Sequence, residues 1–128
     1  MAERVPPEVQ HYAVKYQQLQ NLLAQILTEK SAVETELKEV NRVLSELEKL
    51  PDDVEIYKSV GHVLIKTNKT VVQSELNERK ELLELRLRAL EKQEKEARRQ
   101  LEGIQAKIKE IMARTYKTAE KALKGQAG

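Results

Sequence analysis

Two long stretches of the chain carry apolar residues at alternating steps of three and four, and this heptad rhythm constrains the fold more than any other feature. The first stretch reads Val9, Tyr12, Tyr16, Leu19, Leu23, Ile26, Val33, Leu37, Val40, Leu44 and Leu47. The second reads Leu76, Leu83, Leu87, Leu90, Ala97, Leu101, Ile104, Ile108 and Ile111. A repeat of about 3.5 residues keeps one narrow seam turned toward a partner helix along its whole length. The sequence therefore predicts a mainly α chain, a long antiparallel two-helix coiled coil. Its activity must lie at the ends and sides of the helices.

Composition supports that reading. Charged residues make up 34% of the 128 residues and aromatics only 3%, with no Phe and no Trp. A globule of this size normally buries several large aromatics, whereas a coiled coil needs only a seam of Leu, Ile and Val. There is no cysteine, which excludes disulfides and thiolate metal sites and points to a reducing compartment. No signal peptide and no membrane-spanning apolar run is visible, so a soluble, cytoplasmic protein is expected.

The net charge of +2 is unevenly spread. Between Glu8 and Leu50, five Lys/Arg against seven Glu leave −2. Between Asn68 and Lys124, fifteen against ten leave +5. Opposite signs favour pairing the two helices, and the surplus is too diffuse to argue for nucleic acid by itself.

The first helix is predicted over about 6–50. Pro6 and Pro7 suit a helix start, and Pro51 stops it. The second is predicted over about 68–124, with Asn68 to Thr70 all suited to cap it, Thr70 and Gln73 also fitting a capping box, and Gly125 as its end. Glu34/Lys38, Glu75/Arg79, Glu84/Arg88 and Glu91/Lys95 are expected to pair along the helix surfaces. Between the helices, Val54–Val60 and Val63–Lys66 are rich in strand formers and flank Gly61-His62. Gly at the first central position suits a two-residue type II′ turn, so one β-hairpin is predicted over about 54–66, pairing Val60 with Val63 and Tyr57 with Lys66. The whole chain, 1–128, reads as a single domain.

Folding back at the hairpin sets the helices antiparallel, with Val9 near Thr115 and Leu23 near Leu101. The same register places Lys30 beside Glu94. These two either pair across the seam or snorkel separately to water. Lys80 has no such partner and is expected near the rim.

Apolar residues off the seam are almost absent from the middle of the helices and gather at both ends. Val43, Leu50, Val71, Val72, Leu82 and Leu85 lie near the hairpin. Val14, Leu22, Leu27, Met112, Tyr116 and Leu123 lie toward the other end. A lone hairpin is marginal in water because its edges are unpaired and its faces uncovered. Copies are therefore expected to assemble through Val54, Ile56, Tyr57, Val60, Gly61, Val63, Leu64 and Ile65, closing an oligomeric β-barrel. The alternative is a hairpin folded onto its own helices. At the far end, exposed apolar side chains suit binding of another protein's apolar surface, or are simply scattered on fraying turns.

No catalytic constellation is visible. His11 and His62 stand far apart without ligand spacing, there is no glycine-rich phosphate loop, and a rod should offer no concave pocket. The chain is expected not to be an enzyme and to need neither cofactor nor metal.

The segment Ile56-Tyr57-Lys58-Ser59-Val60-Gly61-His62-Val63-Leu64-Ile65-Lys66, between two such helices, resembles the β-type subunit of archaeal prefoldin. So does Leu90-Glu91-Lys92-Gln93-Glu94 in the second helix. The resemblance covers nearly the whole chain. It implies a hexamer of two α-type and four β-type subunits, with hairpins forming a double barrel and coiled coils hanging from it. It also implies an ATP-independent holdase whose tips capture unfolded polypeptides and pass them to a group II chaperonin. A single hairpin, rather than two, resembles the β type; the runner-up within the family is a homo-oligomeric relative. The tip candidates are then Val5, Val9, Tyr12, Val14, Tyr16, Ile111, Met112, Tyr116 and Leu123, some of them seam residues available only if the end splays. Arg114, Lys117, Lys121 and Lys124 could touch clients, touch an acidic chaperonin surface, or be solvated. Outside the resemblance, a coiled-coil adaptor or tether for a folded partner is the second reading, and a nucleic-acid-binding arm the third.

Overall fold

Every seam residue named above is buried or half-buried in the structure, a computed structural model that describes residues 5–127 and the side chains of 5–125. The elements run α1 (Pro7–Glu48), β1 (Ile56–Val60), β2 (Val63–Thr67) and α2 (Lys69–Ala127). The predicted order and number of elements are those found. The chain divides into two units, Met1–Leu27 with Lys92–Gly128, and Thr28–Glu91.

In the first unit, Val9, Ile26, Ala97, Leu101 and Ile111 are buried. Leu19, Leu23, Ile104 and Ile108 are half-buried beside them. Tyr16 accepts a hydrogen bond from Gln105 Nε2 at 2.9 Å, and Glu8 lies 3.8 Å from Arg114, so the two helical segments run antiparallel. α2 does not stop at Gly125. Lys and Ala around it favour helix, and one exposed glycine, worth about 1 kcal/mol against helix, does not outweigh them. Glu94 accepts from Arg98 Nε at 2.9 Å.

In the second unit, Val40, Leu47, Leu83 and Leu90 form the core, and Leu90 is fully buried. Lys80 is half-buried. The expected Glu75/Arg79 pair is not formed, because each residue has a partner from an earlier element. Arg79 forks onto Glu36 of α1, with Nη2 donating to Oε1 at 2.9 Å. Arg86 repeats the arrangement one heptad on, its Nε donating to Glu29 Oε1 at 2.9 Å. Glu75 instead holds Lys58 of β1 at 3.0 Å. Glutamates and arginines seven residues apart on facing helices meet along one flank, as e/g charges do in coiled coils.

The sheet is one antiparallel pair, with Val60 opposite Val63 and Tyr57 opposite Lys66, the register predicted from the turn. Gly61 has φ near +59° and no other described residue has positive φ, so His62 stays in the ordinary region. A positive φ confined to the first central residue is what a type II′ turn requires.

Candidate functional site

Two groups of candidate residues were expected, and each lies within a single unit. The hairpin group stands in the second unit on a carefully closed junction. The last turn of α1 tightens, with Lys49 N donating to Glu46 O and Leu50 N to Leu47 O. Val54 N then donates to Pro51 O at 3.2 Å, closing the Pro51-Asp52-Asp53 turn. On the far side of the hairpin, Asn68 caps α2: its Oδ1 accepts from Val71 N at 2.9 Å. Of the expected candidates from Asn68 to Thr70, the cap is thus Asn68, because α2 begins at Lys69 and an N-cap must precede the first helical residue.

Lys69 completes the junction. Its Nζ donates to the Leu50 carbonyl at 2.8 Å and lies 3.3 Å from Asp52 Oδ1, with the side chain 10% exposed. The carbonyls at a helix C-terminus lack intrahelical partners, so this lysine satisfies one and places the start of α2 beside the end of α1. Sequence reasoning missed it. The available signal was a lysine next to a cap, opposite an acidic Pro-Asp-Asp turn.

The strands alternate, so Ile56, Lys58, Val60, Val63, Ile65 and Thr67 share one face, and Tyr57, Ser59, Leu64 and Lys66 the other. Of the expected interface residues, Val54 and Ile56 are half-buried. Tyr57, Val60, Val63, Leu64 and Ile65 are exposed, Leu64 to 69%. Gly61 at the turn is exposed too. The Lys58–Glu75 pair ties β1 to α2, and Lys66 reaches Glu55 at 3.4 Å. These polar ties leave the apolar side chains open to water. Nearby, Val43, Leu50, Val71, Leu82 and Leu85 are exposed as expected, while Val72 is half-buried.

The second group lies in the first unit. Val5, Val14, Met112, Tyr116 and Leu123 are exposed, the last two to 71% and 68%. Tyr12 and Tyr16 are half-buried. Val9 and Ile111, at 7% and 3%, are part of the seam and are covered in this conformation. Met112, Tyr116, Ala119 and Leu123 recur at steps of four, three and four, which aligns them on one face of α2. Ile111, Thr115 and Ala122 lie on a neighbouring face and line a groove with Pro6 and Pro7. The end of α2 therefore has one apolar face toward α1 and a second turned to water.

Charged pairs stand along the helices in both units. The Arg79 guanidinium, bonded to Glu36, holds that carboxyl below the usual range. Arg99 and Gln100 together lower Glu96 to about 2. His11 meets the ring of Tyr12 edge-on at 5.5 Å. No cluster of three or more His, Cys, Asp or Glu able to hold a metal occurs among the described residues. No helix among them is long and apolar enough to cross a membrane. The expectation of no concave surface is corrected, however: the first unit has an open groove of about 600 Å³ between its two helical segments, lined by Tyr12, Leu19, Leu22, Gly103 and Ile104.

Comparison with known proteins gives a consistent answer. The family model described as prefoldin subunit matches residues 10–115. A prefoldin subunit beta from Sulfurisphaera tokodaii is 50% identical over 124 residues, spanning 97% of this chain and 99% of that one. One from Saccharolobus islandicus is 54% identical over 116 residues, spanning 91% and 92%. The crystal structure of the prefoldin beta subunit from Thermococcus strain KS-1 superposes with a TM-score of 0.81. It shares 38% identity and covers 86% of this chain and 96% of that chain.

Proposed function

This chain belongs to the prefoldin family, and we propose that it works as a β-type subunit that holds unfolded polypeptides without ATP. A chaperone role follows from membership in general, as does assembly with other prefoldin subunits. The finer reading has the hairpins of this chain, its sister copies and two α-type subunits close a barrel in an α2β4 hexamer. Clients are then held in the cytoplasm and released to a group II chaperonin.

The observation that supports capture is the second apolar face at the end of α2, formed by Met112, Tyr116 and Leu123, with Val5 and Val14 exposed on the facing segment. Burying one such side chain fully is worth about 1.5–3 kcal/mol. A partly exposed tip therefore holds a client only weakly. Several linked tips bind one flexible chain far more tightly, because each later contact is intramolecular. Tyr12, Tyr16, Val9 and Ile111 add surface when the end splays. Held apolar segments stay reversible, which suits a carrier that spends no nucleotide.

The test is dilution of a denatured client into the assembled protein without nucleotide, reading light scattering. Full-length protein should suppress aggregation. A form lacking residues 1–12 and 114–128 should assemble, by native mass, yet protect poorly. Equal protection by the shortened form contradicts the assignment of the capture surface.

A further inference from the structure

Leu82 and Leu85 are 59% and 58% exposed, in a stretch of α2 whose seam residues Leu83, Leu87 and Leu90 are buried or half-buried. With Ala89 they recur at steps of three and four, so the three share one stripe on the side of α2 turned away from the seam. Leucine on an outward face leaves apolar surface in water and gains nothing for a chain of two paired helices. The same helix positions farther along are Lys92, Glu96 and Arg99.

The charges beside the stripe indicate what covers it. Glu81 and Arg88 stand seven residues apart on one flank, both exposed. Among the described residues neither has an ion pair, and the expected Glu84/Arg88 pair is not formed. The opposite flank differs: its Arg79 and Arg86 are held by Glu36 and Glu29 of α1. One flank is thus neutralised within the chain. The other carries one unpaired charge of each sign, on either side of Leu85. That pattern fits its own copy turned end for end. In an antiparallel pair, each flank meets the same flank of its partner read in reverse. With Leu85 at the centre, Glu81 of each copy lies beside Arg88 of the other, and the leucines pack between them. A parallel pair sets Glu81 against Glu81 and Arg88 against Arg88, which charge repulsion opposes.

We infer that this stripe is a contact between two copies of this chain whose α2 helices run in opposite directions. The inference rests on the reading that sister copies are gathered through their hairpins. Copies held together at that end are not free to reverse, so the contact joins chains of two separate assemblies. Two leucines and an alanine per copy cover far less than the roughly 1,000 Å² of a lasting interface. One contact is therefore transient. Several made at once between the same two assemblies reinforce one another, because each later one is intramolecular.

The experiment follows the mass of the assembled protein by sedimentation as its concentration rises. The mass should shift reversibly from one assembly to two. Glu81→Arg and Arg88→Glu should each weaken that association about tenfold, because two exposed attractions become repulsions. The two changes made together should restore it. Leu82→Ser with Leu85→Ser should abolish it while helix content, by circular dichroism, stays the same. The chain has no cysteine, so a single introduced thiol reports the geometry. A short thiol crosslinker should couple copies carrying Leu85→Cys. It should leave Glu78→Cys uncoupled, since the two 78 positions of a reversed pair lie roughly 20 Å apart along the helices. An assembly that never doubles, coupling at 78 as strong as at 85, or no rescue by the paired exchange overturns the inference and leaves the hairpin reading standing. An unaltered chain that stays monomeric at every concentration overturns the hairpin reading, and this inference with it.

Discussion

The hairpin of the second unit and the terminal face of α2 in the first both present apolar side chains to water, yet they differ in their backbone. Along α2 every interior N–H and C=O is satisfied within the helix. What Met112, Tyr116 and Leu123 offer is greasy surface without direction. A partner of almost any sequence can cover it. The hairpin exposes side chains and also two strand edges, whose unpaired groups accept only another strand at the right spacing and register. One surface therefore suits many transient partners, and the other a few permanent ones. The same residue types serve both, and backbone geometry separates them.

The sharpest way to break that contrast is to put a charge on the hairpin. Leu64→Asp should leave the helices formed, by circular dichroism, and drop the native mass to that of a monomer. Retention of the full assembly would mean that the hairpin does not hold copies together. Second in size, changing Met112, Tyr116 and Leu123 together to Ser should leave native mass unchanged and reduce client protection several-fold.

Third comes the junction beneath the hairpin. Lys69→Met keeps the apolar stem but leaves the Leu50 carbonyl without its donor. That bond is part-buried and Leu50 is exposed, so water can replace the donor and the loss is about 1 kcal/mol, read as a lower denaturation midpoint. Because Lys69 is remote in sequence from the residues proposed to capture clients, protection measured well below that midpoint should be normal. Loss of protection there would tie the two regions together.

The smallest expected effect is on acid stability. Arg79 lowers the Glu36 carboxyl, and Arg99 with Gln100 lowers Glu96 to about 2 from an ordinary 4.5. A lowered folded-state value means the charged form is the one the fold favours. The contribution is thus complete above about pH 4.5 and fades as pH falls toward 2. All four charged groups are exposed, so solvent screens the effect. Arg79→Gln should make the thermal midpoint slightly less sensitive to pH between 5 and 3 and leave it almost unchanged with salt at pH 7. A larger pH dependence in the variant would contradict the pairing.

Much of this was legible in the sequence because it depends on local periodicity. The seam from Val9 to Leu47 and from Leu76 to Ile111 follows from a heptad count. The hairpin register follows from Gly61 alone, since a two-residue turn fixes every pair behind it. Exposure of Tyr116 and Leu123 follows from their place off the seam. What escaped depends on the angle at which distant segments meet. Glu36 was not linked to Arg79, nor Glu29 to Arg86, although the matching seven-residue spacing was present. The nearer i,i+4 partners competed for attention, and the structure gives Arg79 to Glu36 and Glu75 to Lys58. Lys69 was hidden because a buried lysine is rare and its acceptor is a backbone carbonyl.

The most direct measurement is photocrosslinking of the assembled protein in the presence of a denatured client, with the reactive residue placed once at Leu64 and once at Tyr116. The account predicts that position 64 joins sister subunits and position 116 joins client. Client attached mainly at 64, with 116 sealed against other subunits, would contradict it.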